Sequence, residues 1–379
     1  MNFYDPELIA NPYPHYADWR ENAPVFRNEN TGEWIISRHA DVVDAFKDHA
    51  RFSSAAFGEA ENSVALPLLG DDPPRHTQLR ALVNRAFTSR TLKALEADIA
   101  RLSTDLCAAL PSGAAVDIAT DFTIPFPVAV ISDMMGIPAE RGEDFKRWSD
   151  ALTGTSELES MDERMPQIME MATFFAELIP ERRANPGEDL VSQVTNAEVD
   201  GNYMTDEDIT GFCMLLLIAG NETTTNLLSN LLNYAADNPW VWETLRADRS
   251  LVDAAIEETL RFDAPVQYTP RMLKEDVTLH GETMRAGEFA FLVMGSANRD
   301  PAVHENPDVF DLARGSQSHT AFGYGVHFCI GAPLARVEAR FALNALLDRV
   351  GEVRRADVEN ERTHSPMLRG FHHLWLDLA

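Results

Sequence analysis

The stretch Phe322-Gly323-Tyr324-Gly325-Val326-His327-Phe328-Cys329-Ile330-Gly331 governs how the rest of this chain is interpreted. Ala332 and Pro333 follow it, and proline is favoured in the first turn of a helix. Residues 334–350 then show helical periodicity without a helix-breaking residue. Cys329 therefore lies just before a helix N-terminus, where the helix dipole and free backbone N–H groups favour a thiolate. A thiolate held in this way is a metal ligand or a nucleophile.

The spacing of the residues in this stretch helps to distinguish a functional Cys329 from an inert one. Gly325 permits a tight turn, and Gly331 lets the backbone pass close to a flat ligand. A single Cys-x-Gly is usually a buried, inert cysteine, but the full spacing Phe-x-x-Gly-x-x-x-Cys-x-Gly is far more demanding. It resembles the haem-binding loop of the cytochrome P-450 family. The resemblance implies that Cys329 is the axial thiolate ligand of haem iron, with Phe322 packed under the sulfur and the ring.

Length and composition favour one large globular domain, residues 1–379. The chain is 45% hydrophobic and 24% charged, which is typical of a soluble protein with a large core. Its longest apolar run, 213–220, is far shorter than the roughly 20 residues of a membrane span. Residues 1–14 contain no apolar segment typical of a secretory signal. Cys107, Cys213 and Cys329 are widely spaced, which favours a reducing compartment, so we expect a cytoplasmic protein without a membrane anchor.

The net charge is −28, from 60 acidic and 32 basic residues. Such a charge disfavours nucleic acid and anionic membranes as partners. A strongly acidic surface is either an adaptation to a salty cytoplasm or simply a source of solubility. The sequence leaves both interpretations open.

The hydrophobic periodicity predicts a mainly α fold with small β-sheets. Short strands are predicted at 34–37, with a partner near 25–26, at 277–279 and at 289–293, and further strands at 367–378. The predicted helices are 12–22, 40–49, 75–87, 92–110, 122–135, 140–152, 162–183, 190–195, 204–237 and 251–262.

Residues 52–74 form a long irregular segment, and such loops in a compact domain are usually functional or disordered. Its apolar residues suggest a lid over an apolar cavity, and the alternative is a flexible surface loop. These residues are Phe57, Val64, Leu66, Leu68 and Leu69.

Basic residues at four positions are candidate ligands for an anion. His76 and Arg80 lie four residues apart on one helix face and could hold a haem propionate, although such a pair alone is more often a solvated surface. The family resemblance implies that Arg271 and His327 bind the propionates together with them.

The longest predicted helix, 204–237, would span about 50 Å. Thr205 and Asp208 resemble a capping box at its start. Its centre, 214–220, is apolar all round and should be buried. The polar run 221–225 follows, and a buried helix rarely carries a carboxylate and several hydroxyls without cause.

Ala219, Gly220 and Thr223 share a face of this helix, and their small side chains would leave a groove for a flat cofactor. The simpler interpretation is a helix that turns polar as it leaves the core. However, the segment resembles the family pattern Ala-Gly-x-acid-Thr-Thr. This resemblance implies that Thr223 and Glu222 deliver protons to bound dioxygen.

Glu258 and Arg261 lie three residues apart on a predicted helix, and most such pairs are exposed and stabilise little. They resemble the Glu-x-x-Arg motif of the family, whose third member here would be Arg314. The resemblance implies a buried network that holds the segment leading to the cysteine loop. Such a network is tolerated only when every member is hydrogen-bonded.

The resemblance covers essentially the whole chain and is strongest to soluble bacterial members that oxidise fatty acids, steroids and terpenoids. It implies the cytochrome P-450 fold, with the long central helix over haem b. It also implies a monooxygenase that uses O2 to hydroxylate a C–H bond of a small apolar substrate. Candidate pocket residues are Val64, Leu66, Leu216, Ala219, Val266 and Phe371.

Electrons must come from a separate carrier, because no nucleotide-binding Gly-x-Gly-x-x-Gly motif is found in the chain. We expect a ferredoxin, a ferredoxin reductase supplied by NAD(P)H, and a monomeric oxygenase. An acidic carrier would need a local basic patch near the cysteine loop, for which Arg85, Arg336 and Arg340 are candidates.

Three other functions stay open. A haem sensor or carrier would have little need of the Thr223–Glu222 pair, and a peroxygenase driven by hydrogen peroxide would need it less than a monooxygenase does. A metal-free helical binding protein would contain an inert Cys329.

Overall fold

The computed structural model describes residues 3, 5–57, 66–111, 115–153, 160–315 and 318–379. Most of them lie in helices, and four small sheets lie among these helices. The predicted mainly α class is therefore confirmed. Val64 and the middle of the predicted lid, residues 58–65, lie outside the described residues.

The helices follow one another along the whole chain. They are α1 (Pro6–Ala10), α2 (Tyr13–Asn22), α3 (His39–Lys47), α4 (Arg75–Ala86), α5 (Ser89–Ala109), α6 (Pro125–Met134), α7 (Gly142–Thr153), α8 (Met161–Ala184), α9 (Leu190–Thr195), α10 (Asp206–Asp237), α11 (Pro239–Ala247), α12 (Val252–Phe262), α13 (Met294–Ala297) and α14 (Ala332–Arg349). A π-helical segment, Ala119–Thr123, precedes α6.

The strands are β1 (Val25–Arg27), β2 (Trp34–Ile36), β3 (Phe52–Ser53), β4 (Ala115–Asp117), β5 (Thr269–Leu273), β6 (Val277–Leu279), β7 (Glu282–Met284), β8 (Phe289–Leu292), β9 (Val353–Arg355), β10 (Glu361–Arg362), β11 (Phe371–His373) and β12 (Trp375–Leu378). The largest sheet has the order β1-β2-β8-β5-β3. In it Val25 pairs with Ile36, which confirms the predicted pairing of these segments.

Helix α10 is the longest element and passes through the interior. The Thr205 side chain caps it by accepting a hydrogen bond from the Asp208 backbone N–H. It packs against α6, α8, α12 and α14, so other elements surround it along its length. With 32 residues it is about 48 Å long.

The centre of α10 is not buried all round as predicted. Residues 214–217 are buried, but Ile218 and Gly220 are only half-buried, and Ala219 is exposed. At Ala219 the described neighbouring elements therefore leave the surface of α10 uncovered. The prediction failed because it took apolar composition to mean close contact on every side.

The N-terminal and C-terminal parts of the chain are joined by a buried polar network. Arg369 donates to the backbone oxygen of Ile9, at 3.1 Å, and to the carboxylate of Asp263. The Tyr13 hydroxyl donates to the same carboxylate, and the Arg299 guanidinium lies 3.6 Å from the centre of the Tyr13 ring. Helices α1 and α2 are thereby held against the turn before β11.

In the part of the chain that the structure describes, no helix is long and apolar enough to cross a membrane. The described end of the predicted lid, 66–74, packs Leu66, Leu68 and Leu69 against the main core. This end of the segment is therefore an ordered part of the fold.

Candidate functional site

The loop that contains Cys329 is fixed by its backbone. The Cys329 N–H donates to the Phe322 carbonyl at 3.0 Å, and α14 begins three residues after the cysteine. Gly325 has φ of +70°, and a Cβ there would lie 2.8 Å from the Phe46 carbonyl oxygen. The turn therefore requires glycine at this position.

The Cys329 sulfur lies at the N-terminus of α14, as predicted. Burial raises the pKa of the thiol, whereas backbone N–H groups of Gly331 and Ala332 and the Arg80 guanidinium act in the opposite direction. Gly331 lies close to the sulfur, since a Cβ there would be 3.8 Å from Sγ. Cys107 and Cys213 are buried, and burial raises the pKa of each.

Phe322 lies in the same loop. Its ring is half-buried, 6.3 Å from the ring of Phe328, and the Arg336 guanidinium lies 4.6 Å from its centre. The ring thus packs among the side chains that surround the cysteine loop.

Two histidines that the sequence analysis singled out are in contact. The rings of His76 and His327 have centroids 4.1 Å apart. His76 Nδ1 and His327 Nε2 are buried and have no hydrogen-bond partner among the described residues. Burial, with His76 and Arg271 nearby, lowers the pKa of His327 to about 3.

Arg271 lies beside these rings and is buried, with 4% of its surface exposed. It donates to the Pro270 carbonyl, at 2.8 Å, and to the Thr269 hydroxyl. Among the described residues no carboxylate forms an ion pair with it, and burial lowers its pKa to about 10. Asp72, the acidic residue whose charge Arg271 feels, is paired with Lys274 at 2.7 Å.

Arg80 completes this basic cluster, which we define as His76, Arg80, Arg271 and His327. It donates to the Phe328 carbonyl at 2.8 Å and has no acidic partner within the described ranges. Its charge also acts on the Cys329 thiol. The basic cluster and the sulfur therefore belong to one site.

The composition of this site fits a haem group. Buried guanidinium groups without a counter-ion are costly, and bound carboxylates would offset that cost. Arginine forks and imidazoles suit the two carboxylates of a haem. A cysteine sulfur that receives backbone N–H groups suits an iron atom. The residues present thus match both ends of the cofactor.

The exposed part of α10 carries Ala219 and Thr223. The Thr223 hydroxyl donates to the Ala219 carbonyl at 2.6 Å, a local bond that threonine can make within a helix. Gly220 lies on another side, because a Cβ there would be 2.8 Å from Ile131 Cδ1 of α6. We therefore correct our assignment of Gly220: it permits close contact between two helices and does not share the face of Ala219.

Glu222 has no hydrogen-bond partner among the described residues, and burial alone raises its pKa to about 7. It lines a cavity of about 210 Å³ beside α10. The other residues around this cavity include Thr120, Ile124, Thr225 and Phe371. Of the predicted pocket residues, Phe371 thus lines the same cavity as Glu222.

The remaining predicted pocket residues lie elsewhere. Leu66 is half-buried against the main core, and Leu216 is buried within α10. Val266 forms a single β-bridge with Leu368.

The predicted pair Glu258–Arg261 lies in the core. Arg261 Nη2 is 2.7 Å from Glu258 Oε1, and the two side chains are 2% and 3% exposed. Arg314 Nε reaches the same oxygen at 3.2 Å, and the Asp311 backbone N–H donates to it at 2.9 Å. The remaining Arg261 donors bind backbone carbonyls near 298 and 307, so the network is well satisfied.

The predicted basic patch is largely neutralised. Arg336 is held by the Glu257 carboxylate, and Arg340 lies 2.7 Å from an oxygen of Asp253. Arg85 is exposed and has no acidic partner among the described residues. The patch prediction was wrong for Arg336 and Arg340 because their acidic partners lie about 80 residues earlier in the sequence.

Sequence reasoning missed Glu338. This carboxyl lies in α14 with 1% of its surface exposed and is hydrogen-bonded to the side chain of Thr224 in α10. Burial raises its pKa well above the usual range. The sequence did contain a signal for this buried carboxyl. Glu338 lies four residues from Leu334 and four from Ala342, on an apolar face of α14.

Comparison with known proteins gives concordant matches. The sequence model of the cytochrome P-450 family matches residues 30–351. YjiB, a cytochrome P-450 of Bacillus subtilis, is 39% identical over 92% of this chain and 89% of its own. CYP109Q5 of Chondromyces apiculatus is 37% identical, with a TM-score of 0.94 over 100% of this chain and 98% of that chain. CYP109E1 of Bacillus megaterium in complex with corticosterone is 38% identical, with a TM-score of 0.90 over 98% of this chain and 99% of that chain.

Proposed function

The chain belongs to the cytochrome P-450 family of haem-iron monooxygenases, and from this premise we propose its substrate class, site residues and electron supply. It hydroxylates a C–H bond of a small apolar molecule with O2. Its electrons come from a separate ferredoxin, which a reductase keeps reduced with NAD(P)H.

The observation that carries this proposal is the basic cluster beside Cys329. Buried Arg271, the buried ring of His76 and the half-buried ring of His327 lie together, and no carboxylate among the described residues forms an ion pair with them. In our proposal Cys329 binds the iron, and the basic cluster binds the haem carboxylates. When bound, a haem with a thiolate ligand supplies the activation of O2.

Thr223 and Glu222 supply protons in this proposal. The Thr223 hydroxyl is oriented by its bond to the Ala219 carbonyl, and its oxygen keeps a lone pair that can accept another proton. Glu222 has a pKa of about 7, so near neutral pH it can both hold and release a proton. In our proposal Glu222, the residue before Thr223 in α10, replaces a proton that Thr223 passes on.

Steroids are the first substrates to test. CYP109E1 was crystallised with corticosterone and with testosterone. Its 38% identity and nearly complete coverage support a related substrate class here. Fatty acids and terpenoids belong in the same screen, and binding would be read as a shift in the haem absorption spectrum.

The decisive experiment tests whether Cys329 is a ligand of the haem iron. We expect the reduced wild-type protein to give the carbon monoxide spectrum of thiolate-ligated haem and Cys329→Ser to lose it. Cys107→Ser is the matched control, because that cysteine is buried in the main core and its side chain hydrogen-bonds to the Ala345 carbonyl. An unchanged spectrum in Cys329→Ser would overturn the proposal.

Product formation then separates the monooxygenase from a sensor and from a peroxygenase. We expect hydroxylated product from a bound steroid when ferredoxin, reductase and NAD(P)H are supplied. Tight steroid binding without product under these conditions would indicate a carrier. Faster product formation with hydrogen peroxide alone would indicate a peroxygenase.

A further inference from the structure

A small cavity lies between the N-terminal helices and the hairpin β10–β11. Its walls come from α1, from α2, from the hairpin with its connecting loop, and from Gln267. Its volume is about 10 Å³, which is room for one water molecule or one monatomic ion. The proposed haem site uses none of the residues that line it.

The wall of this cavity carries a positive charge without a counter-ion. Arg362 Nη1 is buried and has no hydrogen-bond partner among the described residues. The guanidinium lies 4.3 Å from the centre of the Phe371 ring. Asp263, the acidic residue whose charge reaches Arg362, is already bound by Arg369 and by the Tyr13 hydroxyl. Burial and the charge of Arg369 lower the pKa of Arg362 to about 10, so the guanidinium stays charged at neutral pH.

Two hydroxyl groups on the same wall are available as donors. Tyr16 is 1% exposed, and its hydroxyl has no partner among the described residues. Burial raises the pKa of Tyr16, so the hydroxyl keeps its proton. The Ser365 oxygen accepts hydrogen bonds from the backbone N–H groups of Met367 and Leu368, at 3.2 and 3.1 Å, which leaves its own proton free to be donated.

The other polar side chains of the wall do not supply a counter-charge. Gln267 Nε2 donates to the Ala264 carbonyl at 2.7 Å, and its carbonyl oxygen lies against α13, since a Cβ on Gly295 would be 2.2 Å from it. The Thr363 hydroxyl donates to the Leu368 carbonyl at 3.1 Å. A buried charge without a partner is costly, and hydrogen bonds between ions are stronger than those to water. The wall therefore favours an anion.

We propose that this cavity binds a chloride ion, which joins α2 to the hairpin β10–β11. Arg362 of β10 balances its charge, and the hydroxyl groups of Tyr16 and Ser365 donate to it. These donors lie about 350 residues apart in the chain and meet only in the folded protein. Chloride therefore stabilises the folded state by mass action.

Bromide locates the site, because it replaces chloride and scatters X-rays anomalously. Crystals of the full chain with its haem would be soaked in sodium bromide. We expect an anomalous peak within hydrogen-bond distance of Arg362 Nη1 and the Tyr16 hydroxyl. Absence of a peak there would mean that the cavity takes water and would overturn the proposal.

Thermal unfolding in sodium chloride and in sodium gluconate of equal ionic strength measures the effect on stability. The two salts screen charge equally, but gluconate is too large for the cavity. We expect the midpoint difference, chloride minus gluconate, to be about 2 °C larger in the wild type than in Arg362→Gln. Lys93→Gln is the matched control, because it removes an exposed positive charge from α5, and it should behave like the wild type.

The same midpoint difference in Arg362→Gln and in the wild type would overturn the proposal. Tyr16→Phe gives a second test that leaves the arginine in place. We expect chloride to bind about tenfold more weakly to this variant, because one hydrogen bond to the ion is lost. Unchanged chloride affinity in Tyr16→Phe would contradict the assigned donors. None of these results bears on the haem function, which the carbon monoxide spectrum of Cys329→Ser tests separately.

Discussion

Three glutamates, of which Glu222 is half-buried and Glu258 and Glu338 are buried, show how differently the same residue is accommodated. Glu222 lies against a cavity without a partner, and Glu338 contacts one threonine side chain. Burial raises the pKa of both. Glu258 is about as buried as Glu338, but Arg261, Arg314 and a backbone N–H all donate to it. The first two therefore accommodate a proton in the folded protein, whereas the third is part of an ion-pair network.

We predict that Glu222 makes stability depend on pH. Its folded-state pKa of about 7 exceeds the ordinary value of 4.5, so its stabilising contribution is complete below about pH 4.5 and lost as pH rises through 7. The loss amounts to about 3 kcal/mol. Urea unfolding at pH 5 and pH 8 should show this loss in the wild type and not in Glu222→Gln. Parallel changes in the two proteins would contradict the prediction.

Glu258→Gln should destabilise the fold by about 3 to 5 kcal/mol, because it leaves two buried guanidinium groups without their counter-ion. We expect lower haem retention and a lower free energy of unfolding. Asp253→Asn is the control, since its pair with Arg340 is solvent-exposed and worth less than about 1 kcal/mol. Similar losses of unfolding free energy in both variants would mean that burial of the ion pair does not increase its contribution to stability.

At the scale of elements, the contact between α10 and α6 depends on the absence of a side chain at Gly220. The nearest atoms to its missing Cβ are Cδ1 and Cγ1 of Ile131. A single sequence cannot reveal this contact, because the two residues are 89 positions apart and either could face several neighbours. Helix periodicity identifies faces of a helix but does not say which element each face meets.

Gly220→Val should therefore destabilise the protein by about 1 to 3 kcal/mol through overpacking. Ile131→Val removes the Cδ1 atom and should restore part of the loss in the double variant. A double-mutant cycle of unfolding free energies measures the coupling. If the losses are simply additive, the two side chains do not interfere.

Many elements could be predicted from local signals. Thr205 marks the start of α10, Ser160 with Glu163 caps α8, and the short apolar run Trp34-Ile35-Ile36 predicts a strand. Helix α11 was missed although Asn238 and Pro239 precede it, because only one residue separates it from α10. The short α1 has too few residues for a periodic pattern.

The candidate site was predicted in part. Cys329, Thr223 and the basic cluster were predicted from motifs and family resemblance, and the structure brings the members of the basic cluster together, with Arg80 close enough to act on the Cys329 thiol. The cavity beside Glu222 could not be predicted, since its walls come from residues near 120, 146, 222 and 371. Only tertiary packing brings such distant segments together.

At the scale of the whole molecule, the net charge of −28 is the dominant electrostatic fact. The surface carries many ion pairs, but 60 acidic residues against 32 basic ones leave a strong mutual repulsion. Salt screens such repulsion over a Debye length of about 10 Å at 0.1 M. Compact states with large net charge are stabilised when this screening increases.

We therefore predict that the thermal unfolding midpoint rises with sodium chloride. A rise that ends near about 0.2 M would indicate simple screening. A rise that continues to about 1 M would indicate adaptation to a salty cytoplasm. Sucrose at equal osmolality is the control for excluded-solute effects. A midpoint that falls as salt is added would contradict the prediction.

The bonds from Arg369 to Ile9 and Asp263, with Tyr13 on the same carboxylate, have a consequence for biosynthesis. The first two helices complete their contacts only with a residue 360 positions later. During translation they must wait until almost the entire polypeptide has left the ribosome. Contacts of such long sequence separation form slowly, so nascent chains of this protein expose an apolar surface that chaperones can recognise.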